Sequence, residues 1–153
     1  MTQRFFTVAE AEALLPELNS ALEEVKEARR ELERASDRIQ LLDGLWGEKI
    51  RAPENPDREE FLREKAALEG GLRRLERLVE ERVLSLGVRF PVGGLEHGLV
   101  DFPARFEGRT IYLCWRLGEE DIMAWHEMDS GFAGRRPLTE EDVLAMGRER
   151  DIE

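Results

Sequence analysis

The apolar positions of this chain follow two rhythms, one for each half. Over residues 11–46 they keep a heptad. One row is Ala11, Leu18, Val25, Leu32, Ile39 and Trp46, and the other is Leu14, Ala21, Ala28, Ala35 and Leu42. Alternating steps of three and four make a coiled-coil seam, and the alanines let a partner helix approach closely. Thr7 and Glu10 form a capping box at its start, with Phe6 placed to staple onto Ala11. Pro16 removes a backbone donor and clashes with the carbonyl of Glu12, which predicts a kink or restart there. The helix is expected to end near Asp43-Gly44.

Residues 44–57 carry Gly44, Gly47, Pro53, Asn55 and Pro56 and read as a connecting loop. Asp57, with Glu60 three residues on, caps a second helix in this reading. Its stripe is Phe61, Leu68, Leu72, Leu75, Val79 and Leu86, and Gly87 is its C-cap. The two helices, about 8–43 and 57–86, would span roughly 45–54 Å and fold back as an antiparallel hairpin. Two helices cannot cover both stripes fully. A second hairpin from another chain, or the C-terminal part, is therefore expected on the seam, and a homodimer is the simplest form.

After Gly98 the period changes to two. Leu99–Phe106 and Arg109–Leu117 flank Glu107-Gly108, a two-residue hairpin turn, and a third strand is expected over Ile122–Met128. Pro103 cannot donate to a ladder, which suits an edge strand. The turn sets the register and the register sets the faces. With Phe106 opposite Arg109, Asp101 lies opposite Cys114 and shares a mixed face with Tyr112 and Arg116. Val100, Phe102, Ala104, Ile111, Leu113, Trp115 and Leu117 form an apolar face. The favoured third-strand register pairs Leu117 with Ile122, puts His126 on the apolar face and brings Trp125 and Glu127 to Asp101 and Cys114. The alternative brings His126 opposite Cys114. Thr139 through Val143 reads as a capped short helix running to about Met146.

The expected architecture is α+β. Residues 1–87 form a helical arm, and residues 88–153 form a small head of three antiparallel strands and a short C-terminal helix, in one cooperative unit. Composition narrows the class. The 153 residues are 41% hydrophobic and 37% charged, which suits a folded domain of this length. No apolar run approaches the ~20 residues of a membrane span, and with acidic sequence following Met1–Phe6 no signal peptide is expected. A single cysteine excludes an internal disulfide, so the cytoplasm is the expected compartment. A net charge of −11 opposes nucleic acid and anionic membranes as partners. With no histidine before position 97, a ferritin-like centre in the helices is disfavoured.

The ionisable residues that could carry chemistry crowd into the head. Asp101, Cys114 and His126 are plausible ligands for zinc or iron, with Glu127 or Asp129 to complete the set. Read structurally, the same residues become an Asp101–Arg116 pair, a small buried thiol and a core histidine. A third reading makes Cys114 a nucleophile with His126 as its base, against the mid-strand position of the thiol. Gly131 through Pro137 is a glycine-bearing loop whose Arg135 and Arg136 suit an anion or pair with Glu127 or Asp129. His97 is expected in an exposed loop.

The segments Gly98–Pro103, Tyr112–Glu120 and Trp125–Leu138, with the leading Phe6–Leu18, resemble a small bacterial family known as a domain of unknown function, number 2203. The resemblance implies a cytosolic, uncharacterised protein without accepted catalytic residues. It also implies recurring polar positions at Asp101, Cys114, Arg116, Glu119, His126, Asp129 and Arg135. The functional expectation is a non-enzymatic interaction or scaffold protein that dimerises through its hairpin. The alternative is a metal- or anion-dependent activity at the head.

Overall fold

The computed structural model describes residues 3–147. The chain divides into two compact units, residues 1–22 with 81–153, and residues 23–80. The fold is α+β, with long helices, an antiparallel sheet and a short helix after it. Among the described residues, no helix is long and apolar enough to cross a membrane.

The helices run through both units: residues 8–22 belong to the first, and the hairpin of residues 23–80 is the second. Helix α1, Val8–Ala13, and helix α2, Leu15–Trp46, are separated at Leu14, whose N–H turns back to Ala11 and Glu12. This is the restart that Pro16 dictates, since a proline is tolerated in a first helical turn and not in an interior one. Helix α2 runs past the expected stop at Asp43-Gly44 and passes into a 3-10 turn, Gly47–Arg51, where a loop was expected. Helix α3 is Arg58–Leu78. Arg34 pairs with Glu64 and Arg38 with Glu60, so the two helices run antiparallel. These pairs are surface contacts and contribute little to stability. Ala28, Ala35 and Leu42 of the seam are buried, and Leu42, Ile50 and Phe61 form a small core with Ile39 and Trp46.

The capping box expected at Asp57 does not form. Asp57 makes no side-chain cap, because its carboxylate accepts the Trp46 indole N–H at 2.9 Å. Glu60, its presumed partner, is engaged by Arg38. Long-range partners have claimed both side chains.

The first unit is built on a sheet of strands β1, Leu99–Phe106, β2, Arg109–Arg116, β3, Ala124–Glu127, and β4, Arg136–Pro137, in the order β1-β2-β3-β4. The sheet thus has four strands where three were expected, because two residues of the arginine-bearing loop add to β3. Glu107 and Gly108 both have positive φ, 52° and 78°, the geometry of a type I′ hairpin turn. It fixes Phe106 opposite Arg109 and Asp101 opposite Cys114, as the sequence predicts. The outer edge of β1 is covered. Phe6 N–H donates to Pro103, and Arg89 and Asp101 exchange two backbone hydrogen bonds. Such cover protects an edge that would otherwise invite pairing with another chain.

The third strand takes neither register considered for it. Tyr112 lies opposite His126, Leu113 opposite Trp125 and Cys114 opposite Ala124. Trp125 is therefore on the apolar face, edge-on to Phe106 with ring centroids 5.3 Å apart. The reason is bulk. The indole has far more surface to bury than Ala124, so Trp125 takes the core position and Ala124 the place beside Cys114. Ile122 still reaches the core from the loop before β3, its N–H held by the Glu12 carboxylate at 3.0 Å.

The apolar face packs on the N-terminal segment. Phe6, Val8, Ala11, Leu15, Leu18, Ala21 and Leu22 join Val100, Phe102, Leu113, Trp115 and Trp125 in one core. Thr7 forms the predicted capping box with Glu10, and Phe6 meets Phe102 edge-on at 5.3 Å. Gly87, at φ 95°, ends the chain's return from the hairpin in a left-handed turn that a side chain would strain. Helix α4, Gly94–His97, precedes β1 in the chain, and helix α5, Glu140–Ala145, follows the sheet, its expected cap at Thr139 taking the form of a capping box with Asp142. Residues 148–153 lie outside the described residues.

Leu18 is fully buried and Leu45 is 66% exposed. Leu18→Ala is expected to cost about 2–5 kcal/mol in urea unfolding. Leu45→Ala is expected to stay within about 0.5 kcal/mol of the parent chain.

Candidate metal centre

The register of β3 decides what meets on the sheet's other face. Residues opposite one another share a face, and so do residues two apart along a strand. One row across the sheet is then Arg89, Asp101, Cys114, Ala124 and Pro137. The next row holds Pro103, Tyr112 and His126. Continued one step beyond β4, that row reaches Arg135.

Asp101, Cys114 and His126 thus come together from three adjacent strands. Their side chains are buried, and a carboxylate oxygen, Sγ and a ring nitrogen all lie within 4.8 Å of one another. His126 Nδ1 is 2.8 Å from the Glu127 carbonyl oxygen. A carbonyl can only accept, so Nδ1 carries a proton and donates it. His126 Nε2 is 3.0 Å from Asp101 Oδ1. A neutral ring would set the Nε2 lone pair against a carboxylate oxygen, so this contact wants a cation between the two atoms, either a proton or a metal ion.

Arg89 completes the arrangement. Its Nε and Nη2 both lie 3.2 Å from Asp101 Oδ2, and its guanidinium sits 3.7 Å over the Tyr112 ring. Asp101 therefore pairs with Arg89, not with Arg116. Nothing in the heptad or hairpin reading marks Arg89. The one available signal was the brief apolar alternation Val88-Arg89-Phe90 between Gly87 and Pro91, too short for a strand.

The remaining candidates divide. Arg135 pairs with Glu119 Oε2 at 3.7 Å, and its charge partly opposes the rise of the Cys114 thiol. Glu119 Oε1 accepts the Arg116 backbone N–H at 2.8 Å, while the Arg116 residue is itself exposed. Glu127 was expected beside Asp101, but it belongs to the opposite face and pairs with Arg109 and Arg136. Only its backbone oxygen reaches the site. Asp129 is exposed in the turn after β3, and His97 is exposed as expected. Trp125, also expected beside Asp101, is in the core.

The electrostatics weigh against a nucleophilic thiol. Burial, with Asp101 adding to it, pushes the Cys114 thiol up to about 11, so it is neutral near pH 7. Both His126 nitrogens are engaged elsewhere, which leaves the thiol without its base. Burial alone would lower the His126 value. The hydrogen bonds to Asp101 and to the Glu127 carbonyl outweigh it, and the net direction is upward from 6.5.

A folded value above the ordinary one stabilises fully below about pH 6.5 and is lost as pH rises through it. Chelator-treated protein should therefore lose urea stability as pH rises from about 6.5 through the raised folded value of His126, with a shallower slope in His126→Asn. Cys114 adds a loss of the same sign only once pH passes 9.0. An equal slope in the parent and the variant would contradict the assignment of the buried proton.

No curated protein and no solved structure matches this chain. Residues 4–138 match the family model described as "Uncharacterized conserved protein (DUF2203)", and the chain belongs to that family.

Proposed function

We propose that the sheet unit is a metal-binding module in which Asp101, Cys114 and His126 supply three ligands to zinc or iron. The observation that carries this reading is the orientation of His126. Its Nδ1–H is tied to a backbone carbonyl and its Nε2 points at a carboxylate oxygen. Metal-binding histidines have this arrangement, because the outer hydrogen bond fixes the tautomer and presents the other nitrogen to the ion. A mixed nitrogen, oxygen and sulfur donor set suits zinc or ferrous iron. Three protein ligands leave one position of a tetrahedral ion for water or substrate, which is the pattern of catalytic rather than structural zinc. A tetrahedral ion would draw the widest ligand spacing in to roughly 3.5 Å. Binding would also deprotonate the thiol.

Cobalt titration tests the reading. The chelator-treated chain should bind about one equivalent and develop a sulfur-to-cobalt charge-transfer band. Cys114→Ser should lose that band, and Asp101→Ala/His126→Ala should lose binding by at least about 100-fold. Equal weak binding by the parent and the double variant, without the band, would refute it.

A second reading concerns the hairpin unit, where Leu41 and Leu45 are 51% and 66% exposed one helical turn apart on α2. This favours a homodimeric scaffold formed through that flank, since the alanine row of the seam is already buried within one chain. Light scattering should give twice the chain mass for the parent and the chain mass for Leu41→Glu/Leu45→Glu. A monomeric parent would end this reading.

A further inference from the structure

We infer that Arg89 sets the coordination number of the metal centre: by holding one oxygen of Asp101 it keeps the carboxylate a single-oxygen ligand and restricts the site to four-coordinate ions of the zinc class; this rests on the metal reading above. The two carboxylate oxygens are divided between two partners. Arg89 Nε and Nη2 converge on Oδ2, each at 3.2 Å. Oδ1 faces His126 Nε2 at 3.0 Å. An arginine and a carboxylate commonly pair fork to fork, with two N–H groups on two oxygens. Here both N–H groups go to one oxygen, and the other is kept for the donor set.

The backbone and an aromatic ring hold Arg89 in this pose. Arg89 N–H donates to the Asp101 carbonyl at 3.0 Å, and Asp101 N–H donates to the Arg89 carbonyl at 2.9 Å. Residues paired in this way share a face, so their side chains meet. The guanidinium lies 3.7 Å over the Tyr112 ring, whose centre is 5.6 Å from that of the His126 ring. Stacking on the ring fixes the plane of the fork. The Arg89 side chain is 42% exposed while Asp101 is fully buried, so the cation sits at the rim and its donors point inward. The backbone pair and the buried Val88 hold this segment on the sheet without the guanidinium. The role of the side chain is therefore separable from the fold of the segment.

Calcium and magnesium need six or more ligands, mostly oxygens, and calcium often takes both oxygens of one carboxylate. With Oδ2 occupied, Asp101 offers one oxygen, and Cys114 and His126 add one sulfur and one nitrogen. Three single-atom donors suit a tetrahedral zinc or ferrous ion and undersupply a cation that needs more oxygens. Removing the guanidinium frees Oδ2 to join the ion as a fourth protein atom. A higher-coordinate ion such as manganese gains from that change, while zinc loses from the looser carboxylate. Arg89 is thus a positioning residue that acts on the ion through Asp101.

The full chain, freed of metal by chelator, tests this with zinc, manganese and cobalt as probes. Arg89→Met keeps the length of the stem and removes the donors. It should lower zinc affinity by about 10–100-fold and narrow the preference for zinc over manganese by about tenfold or more. Cobalt-loaded Arg89→Met should keep the sulfur-to-cobalt band, because Cys114 still binds, while its visible bands weaken as the coordination number rises above four. Arg89→Lys keeps a charge beside the buried Asp101 and decides the matter if Arg89→Met does not fold. An ammonium is a point charge without the fork. Arg89→Lys should therefore fold as the parent does and fall between the parent and Arg89→Met in both readouts. A lysine variant with the parent's spectrum and zinc-to-manganese ratio would reduce Arg89 to a charge partner and overturn the inference. A folded Arg89→Met with the parent's spectrum and ratio would overturn it as well. A parent chain that takes up neither zinc nor cobalt would instead overturn the metal reading, and this inference with it.

Discussion

Trp125 can occupy only one face of a two-faced sheet, and much of the first unit depends on which. On the apolar face its indole packs edge-on against Phe106 in the main core. The position has a cost, because the Trp125 indole N–H is buried with no hydrogen-bond partner among the described residues. An unsatisfied donor of this kind costs about 1–3 kcal/mol. Burying the ring offsets that, since a large aromatic side chain recovers a comparable or greater amount. Moving β3 by one residue would expose the indole to the polar face and put His126 among aliphatic side chains.

The same placement makes the other face. With Trp125 inward, His126 must point to the side of Asp101 and Cys114, and the three meet without any loop having to fold over them. The result is a polar cluster on rigid strands, which positions side chains more sharply than loops do. Its charges are paired from the rim. Arg89 holds Asp101 at one end, and Arg135 with Glu119 stands at the other. A fully buried carboxylate beside an imidazole would be costly without such partners.

What could be read from the sequence was whatever local chemistry alone dictates. The Glu107-Gly108 turn fixed the β1–β2 register because only a positive-φ pair closes a two-residue hairpin there. The boxes at Thr7 and Thr139 form because each side chain bonds a backbone N–H only three residues away. Where a distant partner competes, local reading fails. Asp57 goes to Trp46 and Glu60 to Arg38, so that box is lost. The β3 register follows from volume in a core that sequence periodicity does not weigh. Pairing by alternation counted Ala124 and Trp125 as equal claimants, and Ile122 as a strand residue when it reaches the core from a loop. Asp101, Cys114 and His126 were legible as residue types, while their meeting depended on that register. Arg89 was hidden because a single bridge to Asp101 leaves almost no pattern in the chain.

The picture that results is a helical hairpin unit and a sheet unit whose polar face gathers Asp101, Cys114 and His126, the three ligands we propose for one metal ion. The central claim is that Cys114, Asp101 and His126 bind one ion together. X-ray absorption at the metal edge, on protein purified without chelator or supplied with one equivalent of zinc, tests this most directly. The account predicts a first shell with one sulfur at about 2.3 Å and nitrogen or oxygen neighbours at about 2.0–2.1 Å. A shell of oxygen and nitrogen alone, unchanged in Cys114→Ser, would contradict it.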